Sequence, residues 1–287
     1  MALRLMKIIP EPEWEILLKN LTRHRGIAVL IGAADSGKST LARYLIKRFV
    51  SEHIESSLVD ADVGQSSLGL PGAISMKIFR DEKDLEDFTF ERMFYVGTVN
   101  PSKKIPFIID GTKRMADLCK EESDITLIDT TGLISGEIGK ALKINKIKAI
   151  RPEHVIALQR EQELEHILGL IKDIYVHRIR VSRMAKVRKR EDRVRYRKKK
   201  FGDYFKKEEL NEFLFHTKPA RFFYNGKPFK LRESEFTRGT VIGLNHDEDT
   251  IALGVVIGIN DDSVVFQSPI KSLKNINKVV FGDINIW

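Results

Sequence analysis

The stretch Gly-Ala-Ala-Asp-Ser-Gly-Lys-Ser-Thr, residues 32–40, decides how the rest of this chain is interpreted. It fits the pattern G-x-x-x-x-G-K-[ST], in which a glycine-rich turn joins a strand to a helix. The preceding residues Ile27–Ile31 are apolar and rich in β-branched side chains, which is typical of a buried strand. The following residues Ser39–Val50 carry apolar side chains at helical spacing. Strand, turn and helix therefore occur in the order that a phosphate-binding loop requires.

The residue types of this loop suit phosphate binding. Glycine lets the backbone approach a phosphate closely, and the amides at the start of the helix point at the anion. We expect Lys38 to contact the β- and γ-phosphates and the Ser39 hydroxyl to ligate Mg²⁺. The sequence thus predicts a nucleoside triphosphate site, although the loop does not name the reaction. The predicted nucleotide ligands are Gly32, Ala33, Ala34, Asp35, Ser36, Gly37, Lys38, Ser39 and Thr40.

The composition indicates a globular protein of a reducing compartment. The chain has 287 residues, of which 42% are hydrophobic, enough for one large or two modest domains. A single cysteine, Cys119, excludes an intramolecular disulfide framework. Residues 1–10 lack a signal-peptide pattern, and no apolar run approaches the roughly 18 residues of a membrane span. The expected location is the cytoplasm, or the nucleus in an organism that has one.

The positive charge of the chain is concentrated in one segment. The net charge is +9, yet residues 178–200 contain thirteen Lys or Arg and only two acids. That segment therefore carries +11, and the remainder of the chain carries −2. A localised excess of this kind favours a polyanionic partner, such as a nucleic acid. Within it, Lys198, Lys199 and Lys200 are expected either to be solvated or to contact the nucleic-acid backbone.

The pattern of apolar residues predicts an α/β region followed by a β-rich region. From residue 27 to 181, buried-strand patterns alternate with helical ones, including a predicted helix over 161–171, and this alternation predicts a doubly wound, mostly parallel α/β sheet. Residues 184–210 predict one long charged helix or a pair of helices. After Pro219, short alternating runs separated by Gly, Asn and Asp predict a β-rich unit. The predicted parts are a short segment 1–26, a phosphate-loop domain 27–215 with a basic lid at about 182–210, and a β-rich domain 216–287.

Two acidic positions compete for a role beside the loop. The run Asp60-Ala-Asp62-Val-Gly64-Gln65 follows the second predicted strand, and Asp129 ends another apolar strand. Carboxylates at the carboxyl ends of parallel strands lie at the edge of the sheet where ligands bind. Asp62 could orient Mg²⁺ or accept a proton from a nucleophile, and Asp129 could do the same as a Walker B acid. The residues alone do not rank the two.

The order of these motifs resembles that of the polynucleotide 5′-hydroxyl kinases. The phosphate loop, Asp-Val-Gly-Gln at 62–65, Asp-Thr-Thr-Gly at 129–132, the basic segment, and Val-Val-Phe-Gly-Asp at 279–283 follow one another as in that family. The resemblance extends from about Ile27 to Trp287. It implies a P-loop NTPase fold with a small C-terminal domain, the substrates ATP and a nucleic-acid 5′ end of RNA or DNA, and Mg²⁺ as cofactor.

The resemblance also implies roles for individual residues. Lys38 is expected on the triphosphate, Ser39 and Asp62 on Mg²⁺, and Asp62 is further implied as the general base on the 5′-hydroxyl. Two lid arginines, Arg188 and Arg193, are expected to close over ATP, with Arg197 as a weaker match. The residues implied on the acceptor side are Gln65, Asp129, Thr131 and Gly132.

The chain departs from the family pattern at two places, and two other functions stay open. Leu133 stands where the eukaryotic members have a tryptophan that stacks on a terminal base, and about 25 residues precede the first strand where those members have a β-domain. The alternatives are an ATP-binding scaffold without catalysis and a P-loop NTPase switch. A guanine-specific switch carries Asn-Lys-x-Asp, and the run 145–148, Asn-Lys-Ile-Lys, lacks the final acid.

Overall fold

The computed structural model describes residues 8–206, 209–216, 221–231 and 235–287, and the statements below concern these residues. They form seven helices and fourteen strands. The helices are α1 Pro12–Arg23, α2 Lys38–Ser51, α3 Glu82–Glu86, α4 Ile105–Glu122, α5 Gly136–Ile150, α6 Glu165–Leu168 and α7 Arg190–Tyr204. The strands are β1 Gly26–Gly32, β2 Ser56–Ala61, β3 Ala73–Phe79, β4 Arg92–Tyr95, β5 Ile125–Thr130, β6 His154–Gln159, β7 Tyr175–Arg180, β8 Asn211–His216, β9 Arg221–Tyr224, β10 Lys227–Pro228, β11 Thr240–His246, β12 Asp249–Ile259, β13 Ser263–Ser268 and β14 Lys278–Asn285.

The central part of the sheet is parallel. Strands β2, β5, β1, β6 and β7 lie side by side in that order and run in the same direction. Strands β3 and β4 extend this sheet antiparallel beyond β2. Strands β1, β2, β5 and β6 are buried along their length. The residues in the middle of each strand are apolar on both faces rather than alternating, as expected for parallel strands that are covered on both sides. The predicted doubly wound, mostly parallel α/β sheet is confirmed.

Two apolar layers cover the two faces of this sheet. On one face, Ile108 and Met115 of α4 and Leu142 of α5 pack against the strands. On the other face, Leu17 of α1 and Phe49 of α2 do the same. Helices on both faces leave the carboxyl ends of the parallel strands as the open edge, which is where such sheets bind ligands.

The C-terminal strands form a second sheet that continues the first. Strands β11, β12, β13 and β14 are antiparallel neighbours around an aromatic core that includes Phe266 and Phe281. The pair Thr250 and Met93 joins β12 to β4, which makes the two sheets continuous. Strand β8 pairs with β13 along its whole length. It therefore extends across the boundary predicted after residue 215 and lies with the C-terminal strands.

Two helix predictions were wrong in extent. Within the predicted helix over 161–171, only α6 is an α-helix, because the Glu163 carboxylate accepts the backbone N–H groups of Arg160 and Glu161 and folds that segment into a turn. The lid helix α7 begins at Arg190 rather than near residue 184. The backbone N–H of Arg188 donates to the side chain of Asp35. This N–H therefore bonds to the phosphate loop instead of to a helical carbonyl, and the chain before α7 is not helical.

None of the helices in the described ranges is both long enough and apolar enough to cross a membrane.

Candidate functional site

The segment from β1 to α2 has the geometry of a phosphate-binding loop. Strand β1 ends at Gly32, α2 begins at Lys38, and the turn between them passes through Asp35 and Gly37 in left-handed conformations, with φ of 58° and 92°. A Cβ on Gly32 would lie 2.7 Å from the carbonyl oxygen of Leu158, so the loop is packed tightly onto β6. No side chain caps the N-terminus of α2, which leaves its first amides available to an anion.

The Lys38 side chain is folded back onto this loop. Its ammonium donates to the carbonyl oxygens of Gly32 at 3.1 Å and Ala33 at 2.8 Å, and the residue is 6% exposed. Burial lowers the pKa of Lys38, and attraction from Asp129 and Asp62 opposes that effect. A phosphate bound on the loop offers a charged acceptor in place of these two carbonyls.

Ser39 and Asp129 form a direct pair at the start of α2. The Ser39 hydroxyl donates to the Asp129 carboxylate at 2.5 Å. Asp129 is the fifth residue of β5 and is 2% exposed. Burial and the neighbouring charge of Asp60 raise the pKa of Asp129 to about 7, against the opposing influence of Lys38 and Ser39. This is the arrangement of a hydroxyl and a strand-end acid that share a divalent cation in phosphate-loop proteins.

Asp60 and Asp62 have different environments although they are two residues apart. Asp60 is fully buried, and its carboxylate accepts the Ser66 hydroxyl at 3.1 Å and the backbone N–H of Leu68 at 2.8 Å. Burial raises the pKa of Asp60. Asp62 is half-buried, and one of its oxygens accepts the N–H groups of Gly64 at 3.0 Å and Gln65 at 3.1 Å. Asp60 therefore fixes the loop after β2, and Asp62 stands on that loop.

Gln65 connects this acidic loop to the lid. Its side-chain amide donates to the carbonyl oxygens of Gly64 at 2.7 Å and Arg193 at 3.4 Å. Its side-chain oxygen is buried and has no partner among the described residues, and the same is true of the Thr131 hydroxyl. Both atoms can accept a hydrogen bond from a substrate hydroxyl.

The turn after β5 lies directly against the phosphate loop. A Cβ on Gly132 would stand 2.4 Å from the backbone nitrogen of Ala34, so only glycine allows the two backbones to approach this closely. Leu133 is partly buried and packs against the core formed by α4 and α5. It therefore does not replace the family tryptophan as an exposed stacking surface.

Sequence reasoning missed a buried lysine that supports this turn. Lys143 of α5 donates to the Thr130 hydroxyl at 2.7 Å and to the carbonyl oxygen of Thr131 at 2.5 Å. The Thr130 hydroxyl in turn donates to the carbonyl oxygen of Leu30 at 2.7 Å. Lys143 thus joins the ends of β5 and β1. The available signal was a lysine on the apolar side of a helical pattern, which by itself is more often a solvated residue.

A second lysine of α5, Lys146, has no hydrogen-bond partner among the described residues although it is 1% exposed. Burial lowers its pKa to about 8, despite attraction from Asp62 and Asp129. A buried charge without a partner costs several kcal/mol unless a compensating group lies close by. Burial therefore destabilises the charged form of Lys146 more than the nearby carboxylates stabilise it.

We expect Lys146→Met to raise the free energy of unfolding at pH 7 by about 1–3 kcal/mol. The pKa of Lys146 is lower in the folded chain than its usual 10.5, so the unfolded chain binds more protons between about pH 8 and 10.5. The stability of the wild type therefore rises across that range relative to the variant, and the difference shrinks. Urea unfolding at pH 7 and pH 9.5 measures both differences. A variant less stable than the wild type at pH 7 would show that the lysine is paired in solution.

The lid reaches the phosphate loop through one carboxylate. Asp35 accepts the backbone N–H of Arg188 at 2.9 Å and the guanidinium of Arg193 at 2.7 Å. Arg197 lies one turn beyond Arg193 on α7 and is partly buried, and burial together with the charges of Arg193 and Arg190 lowers the pKa of Arg197. The predicted lid arginines Arg188 and Arg193 are thus brought to the rim of the loop.

The inner face of α7 packs along the loop after β2. The Tyr196 hydroxyl donates to the carbonyl oxygen of Ser66 at 2.9 Å, and the Lys200 ammonium donates to that of Gly69 at 3.2 Å. Phe201 is buried between the central and C-terminal strands. Lys200 therefore anchors the helix, which corrects its predicted grouping with two solvated lysines. Its neighbours Lys198 and Lys199 are exposed as predicted.

These features together define a P-loop nucleotide-binding protein with an arginine lid. The chain belongs to the family described as mRNA cleavage and polyadenylation factor CLP1 P-loop, whose model matches residues 32–207. It is 38% identical over 186 residues to a polyribonucleotide 5′-hydroxyl-kinase of Pyrococcus horikoshii, covering 64% of this chain and 51% of that one. It is 35% identical over 212 residues to a polyribonucleotide 5′-hydroxyl-kinase of Methanocaldococcus jannaschii, covering 72% and 58%. The chain thus spans between half and three fifths of the length of these relatives.

Solved structures support the fold at lower sequence similarity. A Clp1p–Pcf11p complex superposes with a TM-score of 0.72 at 11% identity, covering 94% of this chain and 77% of that chain. A second structure of the Pcf11p–Clp1p interface gives a TM-score of 0.74 at 10% identity, covering 99% and 82%. The likeness therefore includes the C-terminal strands as well as the P-loop domain.

Proposed function

We propose that this chain is an ATP-dependent polynucleotide 5′-hydroxyl kinase that transfers the γ-phosphoryl group of ATP to the 5′ end of an RNA strand. The observation that carries the proposal is the meeting of three elements at one edge of the sheet: the phosphate loop, the loop that presents Asp62, and the lid that contacts Asp35. A nucleotide switch also binds phosphates on such a loop and can use an arginine, but it needs no carboxylate placed to accept a proton from a strand 5′-hydroxyl. The names of the curated relatives support the same activity.

The donor side of the site suits ATP and Mg²⁺. The loop amides and Lys38 are placed for the phosphates, and the Ser39 hydroxyl with the Asp129 carboxylate supplies oxygen ligands of the kind that Mg²⁺ prefers. No cluster of three or more His, Cys, Asp or Glu residues suited to a metal ion occurs in the described ranges, which fits a cation held mainly by phosphates and water. When bound, Mg²⁺ neutralises charge on the phosphate oxygens. The pairing favours Asp129, rather than the Asp62 of the sequence prediction, as the acid beside Ser39.

On the acceptor side of the site, we propose that Asp62 accepts the proton of the nucleophile. The second oxygen of this half-buried carboxylate is free of the two turn hydrogen bonds and can accept the proton of a 5′-hydroxyl. The 5′ oxygen then forms a bond to the γ-phosphorus while the bond from that phosphorus to the β,γ-bridging oxygen breaks, and ADP leaves. We expect Gln65, Thr131 and Gly132 to contact the terminal ribose, because the side-chain oxygens of Gln65 and Thr131 are buried without a partner among the described residues.

The lid supplies positive charge to the transferring group. Arg188 and Arg193 stand at the rim of the loop, and Arg197 adds a third guanidinium one turn further along α7. The charge of the transferring phosphoryl group spreads over three oxygens, which the planar forks of arginine suit.

The test of the activity uses γ-labelled ATP and two oligonucleotides, one RNA and one DNA, each with a 5′-hydroxyl. We expect the label to appear at the 5′ end of the RNA in a Mg²⁺-dependent reaction. A 5′-phosphorylated oligonucleotide of the same sequence is the matched control and should accept no label. ATP hydrolysis without any labelled strand would favour a switch, and ATP binding without turnover would favour a scaffold.

We expect the double substitution Lys198→Ala and Lys199→Ala to raise the KM for the oligonucleotide severalfold with little change in kcat. Two exposed charges that neutralise strand phosphates release counterions, so their loss should reduce the slope of log affinity against log salt by about 1.4 for a single strand. KM measured at two or more salt concentrations checks this. Lys47→Ala with Lys120→Ala removes two exposed lysines outside the basic segment and is the control. Equal salt slopes for the two double variants would contradict the prediction.

A further inference from the structure

The tip of the phosphate loop carries a negative charge, the carboxylate of Asp35, whose contribution to the reaction has not yet been assigned. The Asp35 side chain is 11% exposed, and its carboxylate lies 2.7 Å from the Arg193 guanidinium and 3.9 Å from Nε of Arg188. It also accepts the backbone N–H of Arg188 at 2.9 Å. Both lid arginines are therefore held by one residue of the loop that binds the phosphates.

The chemistry of the loop makes an acid at this position costly. The amides of the loop and of α2 form an anion site, and a fixed carboxylate beside them opposes phosphate binding. The backbone of Asp35 also has a φ of 58°. Residues other than glycine rarely adopt this conformation, although aspartate tolerates it better than most. The unfavourable charge and backbone conformation of Asp35 need a compensating interaction, and the ion pair with Arg193 of the lid provides one.

The Arg193 guanidinium is only partly used by this contact. One terminal nitrogen donates to Asp35, whereas Nε is buried and has no partner among the described residues. The backbone carbonyl of Arg193 accepts a hydrogen bond from Gln65, at 3.4 Å. The phosphate loop thus holds the Arg193 side chain through Asp35, and the loop after β2 holds its backbone through Gln65. The buried Nε–H of Arg193 is left to donate to another group. A phosphoryl oxygen is an acceptor of the right charge.

We propose that Asp35 is a positioning residue for phosphoryl transfer, whose carboxylate holds the Arg193 guanidinium at the rim of the phosphate loop in the orientation that meets the transferring group. In this role the Asp35 carboxylate touches neither substrate and acts through Arg193, while the backbone of Asp35 remains part of the predicted phosphate loop. The inference rests on the proposed kinase activity and adds the residue that couples the lid to the loop. The same contact could have the opposite effect if Asp35 withdrew Arg193 from the phosphates, and the test separates the two.

The test is a double-mutant cycle between Asp35→Ala and Arg193→Ala in the full chain, with kcat and KM for ATP measured on a 5′-hydroxyl oligoribonucleotide. If Asp35 acts through Arg193, Asp35→Ala should lower kcat by about ten- to a hundredfold and change the KM for ATP by less than about threefold. The double variant should then be no slower than Arg193→Ala alone. Effects that multiply in the double variant, or a kcat that rises in Asp35→Ala, would overturn the proposal.

Two further variants are controls, one for the conformation of the loop and one for the additivity of unrelated substitutions. Asp35→Asn keeps a residue type that tolerates the left-handed conformation and an oxygen for the Arg188 N–H, but it removes the charge. It should retain a kcat between those of wild type and Asp35→Ala; a kcat equal to wild type would overturn the role of the charge. A cycle of Asp35→Ala with Lys47→Ala, an exposed lysine on α2, should show effects that simply multiply.

Failure of the activity and failure of the inference give different results. If the wild type transfers no label to the oligonucleotide, the proposed kinase function is wrong and the inference falls with it. If the wild type transfers label and the Asp35–Arg193 cycle is multiplicative, the kinase function stands and only the positioning role is rejected.

Discussion

Lys38→Ala is expected to lower phosphoryl transfer at least about a hundredfold, because it removes the point charge that the phosphate loop directs at the β- and γ-phosphates. In the structure the ammonium is held by the carbonyl oxygens of Gly32 and Ala33, both in the loop itself. It is therefore at the site before a phosphate arrives and needs only to exchange carbonyls for phosphate oxygens. Initial rates with labelled ATP at saturating oligonucleotide measure the loss.

The same substitution should leave the fold intact, which separates it from a general loss of structure. Burial lowers the pKa of Lys38, so the buried charge does not favour folding and its removal should not reduce the melting temperature by more than a few degrees. Lys38→Met keeps the aliphatic stem without the charge and is the matched control; it should be as inactive as the alanine variant. Near-wild-type transfer by either variant would end the kinase interpretation.

The sequence predicted the parts of the site that depend on local pattern. The order of strand, glycine loop and helix around Gly32–Lys38 is a short-range signal, and β1 and α2 form where it predicts them. Asp62 and Asp129 also lie at neighbouring strand ends, because the carboxyl ends of parallel strands meet at one edge of the sheet. The alternation of strand and helix patterns along the sequence was sufficient to predict both the loop and the positions of these two carboxylates.

The contacts that complete the site could not be predicted in this way. Asp35 and Arg193 are 158 positions apart, and their pairing depends on how the lid folds back over the loop. Lys143 and Lys146 belong to a residue type that is usually solvated, yet both are buried because α5 packs against α4 and the sheet. The family resemblance implied Asp62 as the base, but the pairing that we propose between Asp129 and Ser39 at the metal rests on side-chain geometry that the sequence does not show.

Strand β8 shows the same limit at the level of the fold. Residues 211–216 place Phe213 and Phe215 on one face of the strand and the exposed Leu214 on the other, but they follow a long charged helix and precede Pro219. Their pairing partner β13 lies about fifty residues later, so no local pattern specified it. The two phenylalanines pack against the core of the C-terminal strands, which places the segment there.

Asp62→Asn is expected to reduce transfer by about a hundred- to ten-thousandfold, because the amide keeps the shape of the side chain but does not accept a proton from the 5′-hydroxyl. The asparagine oxygen can still accept the N–H groups of Gly64 and Gln65, so the loop after β2 should keep its conformation. ATP should therefore bind with nearly unchanged affinity. Equilibrium binding of labelled ATP and the rate of transfer, measured on the same preparation, test both halves of the expectation.

The neighbouring acids provide the controls for this assignment. Asp129→Asn should chiefly raise the Mg²⁺ concentration needed for half-maximal rate, because Asp129 accepts a hydrogen bond from Ser39, where we propose that Mg²⁺ binds. Asp60→Asn should lower thermal stability, because the fully buried Asp60 carboxylate accepts several hydrogen bonds from the loop that follows it. If Asp62→Asn remained active while Asp129→Asn lost transfer at every Mg²⁺ concentration, the base would be Asp129, and the separation of roles between the two strand ends would be wrong.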